Sequence, residues 1–258
     1  MKTVRVLFKK EMLELSRQYK LIWMPLVFLL FGLMEPVTAY YLPDILDAVG
    51  DLPEGAIINI PTPSAGEVLL SAIGQFNTIG VLVIILASMG ILAGERKSGS
   101  AVMVLVKPVP YRAFIYSKWM AASVLVWLSY TIGMLASWYY IHLLFGRIDI
   151  SSLMQAYLVN GVWLSFVVTV TVFFSGMVKS PGAAGFYTIG LSLFITFISG
   201  TFTQIMKWSP GRLSGYVTEL ILVGDWMPEH LMAVTMTVFL CAILLVITPI
   251  IFKQSDLS

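Results

Sequence analysis

The chain has 258 residues, of which 58% are hydrophobic and only 12% are charged. Soluble domains carry about 25% charged residues, so the composition excludes a water-soluble globular protein and indicates that lipid is the main solvent. The net charge of +2 gives no basis for nucleic-acid binding, and the single cysteine, Cys241, excludes an internal disulfide.

The N-terminal segment 1–18 predicts an amphipathic helix. Val4, Phe8, Met12 and Leu15 recur at helical spacing on one face, and basic residues flank that face. A basic amphipathic helix lies in the membrane interface with its cations on anionic headgroups. We therefore expect an interfacial helix and membrane lipids as a partner; a solvated tail is the alternative.

Six apolar segments are long enough to cross a bilayer, which requires about 20 residues for a helix. They cover residues 21–41, 68–93, 113–145, 153–177, 183–206 and 230–252. The sequence thus predicts an all-α integral membrane protein with six transmembrane helices in a single domain over 1–258. An even number of spans places both termini on the same side.

The distribution of Lys and Arg orients the predicted spans. Thirteen of the 16 basic residues fall on the side of the termini, whereas the loop 42–66 on the other side has only acidic charges. Because cytoplasmic segments are enriched in Lys and Arg, we expect both termini to be cytoplasmic.

Glu35 is an acid inside the first predicted span. An ionisable residue within a span is a functional hypothesis by default. The alternative is a hydrated carboxylate near the outer interface. Pro36 follows it and is expected to break the helix, because proline lacks the backbone donor.

Two pairs of small residues are candidates for close helix packing. Gly90 and Gly94 form a GxxxG pair in the second span, and Gly133 and Ser137 form a looser pair in the third. Such pairs let helix backbones approach one another.

The segment 94–112, GERKSGSAVMVLVKPVPYR, has the glycine spacing of a phosphate-binding loop. However, Ser100 stands where that loop requires Lys, and an uncharged span precedes it instead of a strand. The segment therefore does not predict a nucleotide site. Its glycine, prolines and charges favour a cytoplasmic segment that receives a partner, since Gly99 relaxes the backbone and Pro108 and Pro110 end a helix.

The sequence predicts no catalytic residue, no metal site and no cofactor. His142 and His230 are far apart, and neither an HExxH nor a CxxC motif is present. We expect that the chain is not an enzyme and that any ATP hydrolysis belongs to a partner.

The segment 207–229 lies between the last two spans and is too short to cross the membrane. It predicts a re-entrant or interfacial helix on the outer side. Trp208 and Trp226 are typical of the headgroup level.

The order of these elements resembles the permease subunits of ABC-2 type transporters, in particular the small six-span bacterial exporter permeases. The likeness covers essentially the whole chain. It is most specific in the cytoplasmic segment, with Ser100 where the family often has Thr; the matching positions are Glu95, Arg96, Gly99, Pro108, Pro110, Arg112 and Lys118.

The resemblance implies two six-span subunits, a second copy or a paralogue, working with two separate ATPase subunits at the bacterial cytoplasmic membrane. The segment 94–112 would be a coupling helix that docks in a cleft of the ATPase, and an apolar or amphipathic cargo would leave the cytoplasm. The implied ATPase-coupling residues are Glu95, Arg96, Lys97, Gly99, Pro108, Pro110 and Arg112.

Two other readings remain open. The first is an ATP-driven mechanotransmitting or antimicrobial-sensing subunit that acts on an outer partner without moving cargo. The second is an intramembrane enzyme or ion-coupled carrier. Against the second reading, the polar residues of spans two, four and five are uncharged, for example Gln75, Asn77, Asn160 and Thr196.

Overall fold

The computed structural model describes residues 2–49, 63–99 and 109–256. Within these ranges the chain is helical and has no strand, so the all-α prediction is confirmed. The elements in order are α1 (Lys2–Arg17), α2 (Lys20–Val49), α3 (Ala65–Gln75), a π-helical turn (Phe76–Gly80), α4 (Val81–Ser88), α5 (Ala93–Lys97), α6 (Tyr111–Leu144), α7 (Ile150–Met177), α8 (Pro181–Thr201), a 3-10 turn (Pro210–Arg212), α9 (Leu213–Leu222) and α10 (Pro228–Asp256).

Six helical stretches are long and apolar enough to cross a membrane, which confirms the six predicted spans. In order, spans one to six are Lys20–Ile45, Ala65–Lys97, Tyr111–Leu144, Ile150–Met177, Pro181–Thr201 and Pro228–Gln254. Span two is composite, because it contains α3, the π turn, α4 and α5.

Side-chain and glycine caps define several helix ends. The Ser64 hydroxyl accepts from the Glu67 amide while the Glu67 carboxylate accepts from the Ser64 amide at 2.7 Å, so the two form a capping box at α3. Asp149 caps α7 by accepting from the Ser152 amide at 3.0 Å. Gly99 follows Ser98, the C-cap of α5, and its φ of +74° is the left-handed conformation that glycine adopts just after helix C-termini.

Both termini lie at the same end of the bundle. The Arg96 guanidinium, at the end of span two, lies 4.4 Å from the ring centre of Phe252 near the C-terminus. Lys118, near the start of span three, contacts Glu11 of the N-terminal helix at 2.9 Å. We call this end the terminal end and the opposite one the distal end.

An aromatic column joins spans one to four through the core. Phe28 stacks on Phe76 at 5.5 Å, Phe76 meets Tyr130 edge-on at 5.6 Å, and Tyr130 stacks on Tyr157 at 5.1 Å. Span four is the most deeply buried, with 72% of its most apolar window inside the protein, against 17% for span six. Spans one and five, with 28% of that window buried, and span six therefore present most of their surface to their surroundings.

The expectation that Pro36 breaks the first span is wrong, because α2 continues through Pro25, Pro36 and Pro43. Pro36 removes the backbone bond to the carbonyl of Gly32, four residues earlier. The backbone of Gly32 is packed directly against Gly133 of α6. Packing against a neighbouring helix supports proline inside a spanning helix, where no water competes for the backbone.

The closest helix packing occurs at a different glycine from those in the predicted GxxxG pair. A Cβ at Gly94 would meet no described residue within 4 Å, and one at Gly90 would only touch Pro181 at 3.9 Å. In contrast, a Cβ at Gly32 would lie 2.2 Å from the Gly133 oxygen. Gly133 was correctly singled out, but its partner is Gly32 of α2.

The segment between spans five and six folds back onto the bundle. The hydroxyls of Ser199 and Ser209 share a hydrogen bond of 2.6 Å, and Gly211 packs against the carbonyl of Ile195. α9 then runs beside α7 and α3. Its inward face is buried and consists of Leu213, Tyr216, Val217 and Leu220.

We predict that Gly133→Ala lowers the apparent melting temperature of the purified protein in detergent. The new Cβ would lie 2.6 Å from the Phe28 carbonyl and 2.9 Å from the Phe76 ring, so α2 and α6 must separate. Overpacking of this kind costs about 1–3 kcal/mol. Gly190→Ala is the matched control, because a Cβ there meets no described atom within 4 Å. Equal melting temperatures for both variants would contradict the proposed close contact.

Candidate functional site

Span two is broken near the terminal end by a hydroxyl from span four. Ser175 of α7 accepts hydrogen bonds from the backbone amides of Leu92 and Ala93, at 3.1 and 3.0 Å, and donates to the carbonyl of Met89 at 2.7 Å. One buried side chain thus satisfies three backbone groups that the interrupted helix would leave unpaired. The five-residue helix α5 starts immediately after this break.

Glu95 and Arg96 of α5 both point into the protein. The Glu95 carboxylate accepts from Lys118 of α6 at 2.7 Å and from Lys10 of α1 at 3.3 Å. Arg96 donates to the carbonyl of Gly176, at the end of α7, at 3.0 Å, and its guanidinium covers the Phe252 ring of α10. Two adjacent residues therefore connect α5 to four other helices.

The Lys118 ammonium is the centre of this junction. Its side chain is 1% exposed and is held between Glu95 Oε1 at 2.7 Å and Glu11 Oε2 at 2.9 Å. The ring of Phe114 lies 5.1 Å away and adds a cation–π contact. Loss of the ammonium would leave two buried carboxylates close together, which costs several kcal/mol, whereas loss of one carboxylate leaves Lys118 paired with the other.

Lys10 and Glu14 complete the network at its solvent edge. The Lys10 ammonium contacts Glu11 at 3.1 Å and Glu14 at 3.2 Å. Burial lowers the pKa of Lys10, but the carboxylates of Glu11 and Glu95 outweigh burial and raise it overall. Burial raises the pKa of Glu14, but the hydrogen bond from Lys10 and the positive charges of Lys10, Lys118 and Lys20 together outweigh burial and lower the pKa overall. Lys10 is 44% exposed, so these outer pairs are screened by solvent.

The other predicted coupling residues face outward or lie outside the described residues. Lys97 and Arg112 are exposed on either side of the segment 100–108, and exposed Pro110 precedes the first residue of α6. Gly99 follows the C-cap of α5. Pro108 lies outside the described residues. The predicted set therefore divides into two inward residues, Glu95 and Arg96, and an outward group.

Glu35 lies apart from this junction. It is half-buried on α2, about 22 Å along the helix from Lys20 at 1.5 Å per residue. The structure does not bring it together with the described coupling residues, and a role for Glu35 stays a prediction.

Sequence reasoning missed four residues of the junction and its outer network, namely Lys10, Glu11, Glu14 and Ser175. Glu11 had a detectable signal, because it is seven residues after Val4 and four before Leu15 and so lies on the apolar face of α1. An acid on that face requires a buried cation. Ser175 gave no comparable signal, because its partners are backbone groups more than 80 residues away in sequence.

The three carboxylates of the junction do not make a convincing metal centre. Ligand oxygens of Glu11, Glu14 and Glu95 lie within 4.8 Å of one another. However, the ammonium groups of Lys10 and Lys118 already contact these carboxylates and neutralise most of their charge. A cavity of about 120 Å³ adjoins the network and is large enough for a few water molecules.

Both histidines lie outside the junction. His230 is buried at the distal end, where its Nε2 lies 3.0 Å from Glu219 and its ring packs on Tyr216 at 4.6 Å. Its Nδ1 accepts from the Met227 amide at 3.4 Å, which fixes the ring at the start of α10. His142 is exposed and stacks on Trp138. These packing and hydrogen-bond contacts explain the positions of both imidazole rings.

Comparison with known proteins identifies the architecture. The model of a family described as ABC-2 family transporter protein matches residues 5–257. The chain belongs to the ABC-2 transporter family. It is 34% identical over 225 residues to the uncharacterized transmembrane protein YxlG of Bacillus subtilis strain 168, covering 87% of each chain. This ABC-2 protein is therefore a multi-pass cell-membrane protein and a membrane permease of an ABC-type system.

We predict that Lys118→Met strongly destabilises this ABC-2 permease, by about 3–5 kcal/mol, because two buried carboxylates lose their shared cation. Lys10→Met should cost about 1 kcal/mol or less, because Lys10 is half-exposed. Thermal unfolding in detergent at one scan rate compares the two variants. Adding Glu11→Gln and Glu95→Gln to Lys118→Met should recover most of the lost stability, because the two unpaired carboxylates are then neutral. Similar melting temperatures for the two single variants would contradict the central role of Lys118.

Proposed function

We propose that this permease works with a separate ATPase that docks at the terminal end, and that it exports an apolar or amphipathic cargo. The observation that carries the proposal is the connection of α5 to four helices. Through Glu95 and Arg96, this one short helix contacts α1, α6, α7 and α10. A force applied to α5 would reach spans three, four and six directly.

The charge distribution supports a cytoplasmic terminal end. Lys10, Lys20, Arg96 and Lys118 all lie there, together with most of the basic residues of the sequence. Enrichment of Lys and Arg is typical of cytoplasmic segments. An ATPase in the cytoplasm would then meet α1, α5 and the start of α6 on one surface.

The inward and outward residues have different roles in this proposal. Exposed Lys97, Pro110 and Arg112 would contact the ATPase, and the two cations would fix its register and orientation. Glu95 and Arg96 would act as positioning residues that hold α5 against the bundle. Binding and transmission would therefore depend on different side chains.

The proposed complex contains a second permease subunit, either another copy or a paralogue. The exposed apolar surfaces of spans one, five and six support a further contact, since only 28%, 28% and 17% of their most apolar windows are buried within the chain. Membrane lipids would cover the remaining surface.

We predict that the double variant Lys97→Glu, Arg112→Glu weakens ATPase binding about tenfold or more, because charge reversal places like charges together at the docking surface. The measurement is copurification in detergent of the permease with the proposed partner ATPase. Arg147→Glu is the matched control, because Arg147 is an exposed cation at the distal end. Wild-type binding by the double variant would overturn the docking surface.

We further expect Glu95→Gln to retain the ATPase but to lose the dependence of ATP hydrolysis on the permease. The neutral side chain weakens the link to Lys118 without changing the exposed residues. Hydrolysis is measured in proteoliposomes that contain both subunits. Unchanged stimulation of hydrolysis would contradict the positioning role. Stimulation without flux of any cargo would instead favour the mechanotransmitting alternative.

A further inference from the structure

The first residue of span one, Lys20, is directed toward span two. Lys20 is half-buried, and its ammonium donates to the backbone carbonyl of Ala87 in α4 at 2.8 Å. A lysine at the end of a spanning helix usually extends to the interface, where its ammonium stays hydrated. The bond to Ala87 therefore has a cause in the structure of span two.

The break in span two takes away the regular hydrogen-bond donor of the Ala87 carbonyl. In a continuous α-helix this carbonyl would accept from the amide of Ile91, four residues later. Here the Ile91 amide bonds to the Ser88 carbonyl at 3.0 Å, which is the spacing of a tighter turn. Lys20 takes the place of the missing donor. Its positive charge also offsets the partial negative charge at the C-terminal end of α4.

Polar side chains from two spans thus hold the backbone at this break. Ser175 of span four bonds to backbone groups within residues 89–92 and at the start of α5, and Lys20 of span one bonds to the end of α4. α4 otherwise packs mainly against α7 and α8, so Lys20 gives it a polar contact with α2. Lys20 and Glu95 border the same cavity of about 120 Å³. The two anchors therefore lie on either side of the four residues that join α4 to α5.

The corner between α1 and α2 places Lys20 beside α4. Tyr19, the residue before it, has a φ of +58°, a left-handed conformation that is uncommon for a residue other than glycine. Tyr19 is 69% exposed, so packing of its ring does not explain this conformation. Its carbonyl accepts from the amides of Ile22 and Trp23, both at 3.0 Å, and so begins α2. Such strain persists only where the surrounding structure requires it, and here the ion network fixes α1 while Lys20 fixes the start of α2.

We propose that Lys20 is a positioning residue through which a displacement of α5 reaches span one. Glu95 and Arg96 connect α5 to α1, α6, α7 and α10, and the bond from Lys20 adds α2 through the end of α4. Span one then follows the end of α4 for as long as the ammonium keeps its bond to Ala87. The inference rests on the proposed function, because an ATPase that acts on α5 supplies the displacement.

Hydrogen exchange of the permease alone, in nanodiscs, tests the contact. Lys20→Met removes the ammonium and keeps a side chain of similar length. We expect the amides of residues 88–92 to exchange about tenfold faster than in the wild type, because a charge-assisted bond that holds this turn is lost. Lys20→Arg keeps a charged donor and should exchange like the wild type. Lys179→Met, which removes an exposed ammonium at the same end, is the matched control. Unchanged exchange in Lys20→Met would overturn the contact.

ATP hydrolysis in proteoliposomes that contain the proposed partner ATPase tests the positioning role. We expect Lys20→Met to copurify with the ATPase and to lower the permease-stimulated kcat about three- to tenfold, with an unchanged KM for ATP. Lys20→Arg should restore the kcat. A contact that only stabilises the fold would lower the melting temperature and leave the kcat of the assembled complex unchanged, and that result would overturn the role. If Lys20→Met does not fold, the shorter and uncharged Lys20→Gln replaces it with the same expectations.

The two measurements separate this inference from the proposed function. If the wild-type permease neither binds nor stimulates the ATPase, the proposed function fails and the positioning role fails with it. The exchange data would then still show whether Lys20 holds the end of α4. If the wild type stimulates hydrolysis and Lys20→Met does so equally, the role of Lys20 is overturned and the proposed function stands.

Discussion

The buried ammonium of Lys118 is the contact on which the terminal end of the bundle depends. It lies on α6 but is neutralised by Glu11 of α1 and Glu95 of α5, which are 107 and 23 residues away in sequence. Without the ammonium of Lys118, the two carboxylates would keep only half-exposed Lys10 as a shared cation, and without both carboxylates the buried ammonium would be unpaired. The packing of α1 on α6 and the packing of α5 on α6 therefore depend on the same ammonium. Displacement of either helix would remove a carboxylate partner from Lys118.

This condition extends to spans that Lys118 does not touch. When Glu95 is held on Lys118, the next residue, Arg96, reaches the end of α7 and the ring of Phe252. Ser175 then holds the chain where span two breaks. Further along α6, the contact of Gly133 with Gly32 fixes α2. Helix α6 thus contacts span one by close backbone packing, and it binds α1 and α5 through ion pairs.

The spans were predictable from sequence because apolar length is a local property. The fourth predicted span ends at Met177, as α7 does, and the first begins one residue from α2. Features that depend on a neighbouring helix were not predictable. Pro36 was expected to break α2, but the helix continues through it beside the packed backbone of α6. The GxxxG motif indicated close packing at Gly94, whereas the close backbone contact is between Gly32 and Gly133. The sequence did not show which of the predicted coupling residues point inward, because this depends on where the three-dimensional structure places Lys118.

The two ends of the bundle differ in the polar groups that they bury. At the terminal end, the buried ammonium of Lys118 is paired with the carboxylates of Glu11 and Glu95, which suits a rigid junction. In the distal part, a cavity of about 560 Å³ between span two, span five and α9 has no charged residue in its described lining. Span two lines both regions, and its regular helix is interrupted once beside each, by the π turn at Phe76–Gly80 and by the Ser175-capped break before α5. An interruption lets adjoining helical pieces change their relative direction without breaking the bonds inside either piece. The segment α4 between the two interruptions is therefore the element through which a shift of α5 would alter the cavity.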